Sequence, residues 1–171
     1  TRALLEQLEF PLAAPSANPF GYVSPTTAQH VADQLGERIP YILDGGPCLV
    51  GVESTILGWE LDRWMLYRPG GIPVEDIERV IGHVHAAAKP VLPLAPGMLE
   101  SHYAPRKPVH VGDIDMLLRR FAGRRIGIIS LQHEHPGHRC EVLSERGDLA
   151  EAARNLFAVL RELDGSDCAV I

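Results

Sequence analysis

Ser16, Asn18 and Ser24 stand close together in Ala14-Pro15-Ser16-Ala17-Asn18 and Ser24-Pro25-Thr26-Thr27, a turn-rich stretch that runs into a helical pattern. Small hydroxyl and amide side chains so placed can hydrogen-bond a phosphate or a ribose. A helix N-terminus adds free N–H groups and the positive end of the dipole, which stabilise anions. Ser24 suits the N-cap and Pro25 the first helical position. Ala28, Val31, Ala32 and Leu35 then recur at helical spacing. A capped helix after a proline-rich turn, with no ligand, fits the same residues. Arg68 precedes Pro69-Gly70-Gly71 at the end of an apolar run. Its guanidinium can fork onto phosphate oxygens and stays charged, although a surface arginine would look the same. Ser54 and Thr55 bring hydroxyls to the start of a strand, suited to a small ligand's carboxylate or hydroxyl. Tyr103, pinned among prolines, can fold over a site and keep water out, or pack as a loop aromatic.

The chain has 171 residues and a formal net charge of −6. That balance argues against a broad basic face for nucleic acid. No apolar run approaches the ~18–20 residues of a membrane span, and no signal-peptide pattern opens the sequence. Cys48, Cys140 and Cys168 are widely scattered, with neither a disulfide framework nor a metal motif. They read as buried or half-buried thiols in a reducing cytoplasm. His133, His135, His138 and Cys140 are good zinc ligands at a spacing that fits no metal motif, so no metal is assigned.

The elements that must position these residues follow from apolar periodicity and turn signals. Residues 1–8 read as the tail of a helix with Leu4, Leu5 and Leu8 on one face. Phe10–Ala14 reads as a buried strand, the Ser24 segment as a helix, and Tyr41–Asp44 as a strand ending at a Gly-Gly turn. Ser54–Gly58 and Arg63–Tyr67 read as paired strands, and Pro73 opens a helix from Val74 to about Ile81. Prolines 90, 93, 96, 105 and 108 give linker composition. Beyond them come strands at Val109–Val111, Arg125–Leu131 and Cys168–Ile171. They alternate with a helix capped by Asp113, carrying Ile114, Leu117, Leu118 and Phe121, and one starting at Asp148, carrying Leu149, Ala153, Leu156, Leu160 and Leu163. That alternation predicts an α/β fold with a parallel sheet. The expected domains are 1–88, a proline-rich linker at 89–108, and 109–171. Both ends read as cut, so a fragment is expected.

The order of motifs adds a further layer. Ser16-Ala17-Asn18, Asp44-Gly45-Gly46, Gly51-Val52-Glu53-Ser54-Thr55-Ile56, Leu66-Tyr67-Arg68-Pro69-Gly70-Gly71 and His102-Tyr103-Ala104-Pro105 together resemble the threonylcarbamoyl-AMP synthase family. The resemblance is to its long form, a YrdC-like α/β domain joined by a linker to a Rossmann-like parallel-sheet domain. It is strong over residues 11–105 and weak beyond Pro108. It implies a nucleotidyltransferase that joins L-threonine, bicarbonate and ATP into threonylcarbamoyl-AMP for tRNA modification. Mg²⁺ would be carried with ATP; tRNA and tRNA-modification proteins would be indirect partners, and double-stranded RNA binding is a family association. By the resemblance Ser16, Asn18, Ser24, Arg68 and Tyr103 fall where the family contacts ATP. Ser54 or Thr55 falls where it contacts threonine, as does Ala14, which offers only its backbone; no catalytic residue is named. The family's Lys-x-Arg phosphate grip is missing, since Lys89 and Lys107 are the only lysines and neither precedes x-Arg. The piece alone is therefore expected to be inactive. A non-catalytic RNA-binding or regulatory nucleotide-binding module of the same fold is the alternative, weakened by the acidic balance.

Overall fold

The computed structural model describes residues 1–87 and 103–171. The expected linker at 89–108 therefore lies outside the described residues up to His102. In the N-terminal part, strands β1 (Ile56–Glu60) and β2 (Arg63–Arg68) form an antiparallel hairpin. Leu61 and Asp62 turn it, both at positive φ (48° and 60°), as a twist-matched two-residue hairpin loop requires. Trp59 faces Trp64 across the ladder, edge to face at 4.9 Å. Helix α3 (Val74–Ile81) then carries the chain to β3 (Val84–Ala86), which pairs parallel with β2. The sheet order is β1-β2-β3. β3 falls at the edge of the alanine- and proline-rich stretch, whose composition hides it.

Several expected elements take a different form. Helix α1 covers only Arg2–Leu5, and Leu4 and Leu5 are exposed. Phe10–Ala14 and Tyr41–Asp44 form no strands, and Phe10, Leu12, Tyr41 and Leu43 are exposed. Neither run finds a ladder partner among the described residues, and apolar content alone does not make a strand. Helix α2 (Ala28–Leu35) begins three residues later than Ser24 predicts. Its N-cap is Thr27, whose hydroxyl accepts from the His30 N–H at 3.2 Å. Ser24 lies outside the helix because its hydroxyl is drawn elsewhere, to Glu53.

In the C-terminal part both helices and the strand within 125–131 form as expected, whereas 109–111 and 168–171 pair only through isolated backbone bonds and an unexpected strand forms at Arg139–Val142. Helix α4 (Ile114–Arg120) is capped by Asp113, which accepts from Met116 N–H. Helix α5 (Leu149–Gly165) is capped by Asp148, which accepts from the N–H groups of Ala150 and Glu151. Strands β4 (Gly127–Ser130) and β5 (Arg139–Val142) pair in parallel. Backbone bonds extend this ladder: Gly127 N–H donates to Val170 O, His110 N–H to Ile171 O, and Ile171 N–H to Pro108 O. Residues 108–110, 169–171, β4 and β5 thus lie side by side. Leu163, Cys168 and Ile171 form the buried core beneath α5. Leu149, at the start of that helix, is exposed instead of inward-facing. Cys48 is also exposed, contrary to expectation, while Cys140 is half-buried and Cys168 buried. Among the described residues no three of His, Cys, Asp and Glu gather to hold a metal, and no helix is long and apolar enough to cross a membrane.

The two parts are joined through Asp164 on α5, whose side chain is wholly buried. It accepts from Tyr22 Oη at 2.7 Å, Lys107 N–H at 3.0 Å and Arg106 Nε at 3.1 Å. Burial alone would push this carboxyl up, but the three donors outweigh it and hold it below its ordinary value. A depressed carboxyl stabilises the fold above its unfolded pKa of about 3.9 and stops doing so as pH falls through the lower folded value. Asp164→Asn is therefore expected to lose roughly 1.5–3 kcal/mol at neutral pH, the range for hydrogen bonds to a charged group. It should also flatten the acid limb of a stability-against-pH curve measured by denaturant unfolding.

Candidate functional site

Arg68 ends β2 opposite Ile56, where a bulge interrupts the ladder. The following Pro69-Gly70-Gly71 turn lies flat against the Glu53–Thr55 backbone. A Cβ on Gly70 would sit 2.4 Å from Glu53 O, and Gly71 N–H donates to that same oxygen at 2.8 Å. The glycines thus serve a close approach of the chain to itself. Thr55 Oγ1 donates to Ile72 O at 2.6 Å and accepts from Ile72 N–H at 3.2 Å. Its hydroxyl is spent on fixing this turn.

That turn aims the Arg68 side chain inward, leaving it 11% exposed. Its Nε donates to Ser54 O at 3.0 Å, one terminal nitrogen to Ser54 Oγ at 3.1 Å, and the other to Tyr103 Oη at 2.8 Å. The Glu53 carboxylate lies 4.0 Å away. The same carboxylate accepts the hydroxyl of Ser24, which is buried. Glu53 therefore ties Ser24 to Arg68, Ser54 and Tyr103. Beside this cluster opens a cavity of about 220 Å³, with Ser16, Ser24, Thr26, Cys48, Glu53 and Phe157 among its lining.

Tyr103 adopts a left-handed backbone, φ 55°. Its ring lies 5.8 Å from the Arg68 guanidinium carbon and 6.1 Å from the Phe157 ring. Burial, reinforced by the Glu53 charge and opposed by Arg68, pushes its phenol up, so it stays a neutral hydroxyl. Asn18 is not on the cavity wall; its amide donates to Pro19 O and Tyr22 O and shapes the preceding loop. Its buried Oδ1 has no hydrogen-bond partner among the described residues, and as an acceptor it suits a hydroxyl or amino donor instead of a phosphate. Ala14 is exposed on the approach to Ser16.

The expected residues thus separate. Ser24, Ser54, Arg68 and Tyr103 form one network, Ser16 borders the cavity, and Asn18, Thr55 and Ala14 stand apart from it. Glu53, Phe157 and Arg161 belong to the site although their residue types carried no signal. Glu53 sits in the quoted Gly51–Ile56 stretch, but its value depends on Ser24, 29 positions away. Arg161 donates to Ser24 O at 3.2 Å, to Val23 O and to Gln34 Oε1. The arrangement sets one guanidinium, one carboxylate and the hydroxyls of Ser24, Ser54 and Tyr103 beside the cavity.

A family model described as "Threonylcarbamoyl-AMP synthase, C-terminal domain" matches residues 72–171, and one described as "Telomere recombination" matches residues 1–70. The chain is 38% identical over 176 residues to the threonylcarbamoyl-AMP synthase of Bacillus subtilis strain 168, covering 95% of this chain and 51% of the relative. It is 40% identical over 187 residues to that of Pyrococcus abyssi, covering 98% and 53%. The crystal structure of P. abyssi Sua5 complexed with L-threonine superposes with a TM-score of 0.82 at 36% identity, over 98% of this chain and 53% of that one. The chain therefore spans about half the length of the curated relatives it matches. With a matching model over more than half its residues and relatives well above 30% identity, the chain belongs to the threonylcarbamoyl-AMP synthase family.

Proposed function

We propose that the protein carrying this chain makes threonylcarbamoyl-adenylate. The threonine amine and bicarbonate give a carbamate and water, and the carbamate oxygen displaces pyrophosphate from the α-phosphate of ATP. The observation that carries the reading is the nearly buried Arg68, held by Ser54 and Tyr103 beside the Ser24–Glu53 cavity. A preorganised, nearly buried guanidinium stabilises phosphate charge without reorganising during reaction. Ser16, Ser24, Arg68 and Tyr103 are proposed to contact ATP, with Asn18 contributing its free acceptor to a hydroxyl or amino group. Ser54 is the better candidate for threonine, because the Thr55 hydroxyl is committed to Ile72. Ala14 offers backbone only. Mg²⁺ enters as part of the substrate, held chiefly by ATP oxygens.

The proposed domains are 1–88 for the catalytic part, 89–108 for a linker and 109–171 for a Rossmann-like part. The proposed setting is the cytoplasm, with tRNA and tRNA-modification proteins receiving the product downstream. Pyrophosphate release by the full-length protein, dependent on both threonine and bicarbonate, tests the reading. Release that ignores either substrate would overturn it.

Arg68→Ala in the full-length protein should weaken ATP binding ten- to a hundredfold, matching roughly 1.5–3 kcal/mol for a charge-assisted contact. Titration calorimetry reads this, at a temperature below the variant's melting transition because Arg68 also bonds Ser54 and Tyr103. Ser16→Ala should follow with a smaller loss, its hydrogen bond being uncharged. Glu53→Gln should act in the opposite sense. The carboxylate already engages donors that phosphate needs, so its neutralisation should tighten ATP about three- to tenfold by removing like-charge repulsion. Adenosine, which lacks phosphates, should show no such gain.

Tyr103 is proposed to shield the adenylate until transfer. Hydrogen exchange across residues 103–106 should slow when ATP is added. Tyr103→Ala should raise adenylate hydrolysis relative to tRNA modification. Unchanged exchange together with an unchanged ratio would leave the segment as a tether.

A further inference from the structure

Helix α5 lies in the C-terminal part, yet one of its faces reaches the candidate site three times. Arg154, Phe157 and Arg161 follow one another at spacings of three and four, which places them in one stripe along the helix. At Arg154 the helix backbone meets Gly51: a Cβ there would lie 1.9 Å from Arg154 O. The loop leading into Glu53 is thus seated directly on α5, and only glycine permits the approach. Phe157 is nearly buried at 9% exposure, lines the cavity with Ser24 and Glu53, and tilts its ring 32° against Tyr103. One turn further, Arg161 donates to the backbone oxygens of Val23 and Ser24.

These contacts fall on three separate segments of the site. Gly51 precedes the carboxylate, Tyr103 covers the guanidinium, and Ser24 supplies the buried hydroxyl. Tyr103 is also the residue whose backbone most needs support. At φ 55° an L-residue with a bulky side chain is strained and persists only where its surroundings hold it. Arg68 holds the hydroxyl end of the side chain and Phe157 the ring face. We propose that this stripe of α5 is a wall of the nucleotide site, with Phe157 a positioning residue that seats Tyr103 on Arg68 and Arg161 fixing the backbone of Ser24. The inference rests on the ATP reading above for its ligand. Its own content is that the C-terminal domain builds part of the site.

The test uses the full-length protein and its Phe157→Leu variant, with Phe157→Met as a second, adaptable replacement should the first fail to fold. In ligand-free protein, hydrogen exchange at residues 103–106 should rise several-fold in the variant, while exchange in β4 stays unchanged. ATP binding should weaken about fivefold, as expected for a lost aromatic contact and a misplaced partner. In a Tyr103→Ala background the same substitution should cost nothing further, since Phe157 acts through that ring. Unchanged exchange, or an ATP loss that persists without Tyr103, would overturn the proposal. Failure of wild-type protein to bind ATP would instead remove the nucleotide reading, and the ligand-free exchange would still decide whether Phe157 seats Tyr103.

Discussion

A guanidinium taken almost out of water has to be surrounded by acceptors, and the arrangement around Arg68 follows from that demand. Its side chain retains 11% of its exposure, and a cation so placed would be costly without partners. The partners come from distinct parts of the chain: Ser54 from the strand entrance, Tyr103 from the proline-rich segment, and Glu53 at 4.0 Å. Each partner is then constrained in turn. Glu53 recruits Ser24, which leaves Thr27 to cap α2. Ser54 must present both its carbonyl and its hydroxyl, which requires the Pro69-Gly70-Gly71 turn to hold its backbone from behind. The position of one charge therefore propagates to a helix start and a turn.

The local features were legible in the sequence because they depend on near neighbours. Asp113 and Asp148 cap α4 and α5 as predicted, since an N-cap needs only the two or three residues after it. The hairpin over residues 56–68 follows equally from short-range alternation, whereas β5, which pairs in parallel with β4, lies in a polar stretch that carries no such signal. Where a feature depends on a distant partner, local signals mislead. Phe10–Ala14 and Tyr41–Asp44 have strand-like apolar content, but a strand also needs a ladder. Ser24 and Thr27 are both good caps by type. The choice between them is made by Glu53, which no helix pattern reveals. The network residues Ser24, Ser54, Arg68 and Tyr103 were named, while Glu53, Phe157 and Arg161 were missed. In helical sequence Phe157 and Arg161 read as one more apolar position and one more solvated charge.

Helix α5 shows why such a residue is hard to read. One side contributes Leu163 to the core with Cys168 and Ile171. Asp164, three residues after Arg161 and on the same face as the stripe, accepts from Tyr22 of the N-terminal part and from Arg106 and Lys107 just before the C-terminal part. The Arg154–Phe157–Arg161 stripe turns toward Gly51, Tyr103 and Ser24. A helix engaged on several sides cannot display a simple two-faced pattern. The guanidinium carbons of Arg106 and Arg161 lie 5.9 and 5.1 Å from the centre of the Tyr22 ring. Among the described residues these contacts make the join between the two parts polar and directional.

That chemistry bears on how the two parts act together. An apolar interface tolerates sliding, because area-based attraction has no preferred register. A buried carboxylate with three donors and an arginine clamped on two backbone oxygens do not tolerate it, since a small displacement leaves polar groups unpaired. The same helix that is fixed in this way also carries Phe157 against Tyr103. Precision at Arg68 is therefore inherited from α5: the polar clasp sets where the helix sits, and the helix sets where the ring of Tyr103 can lie.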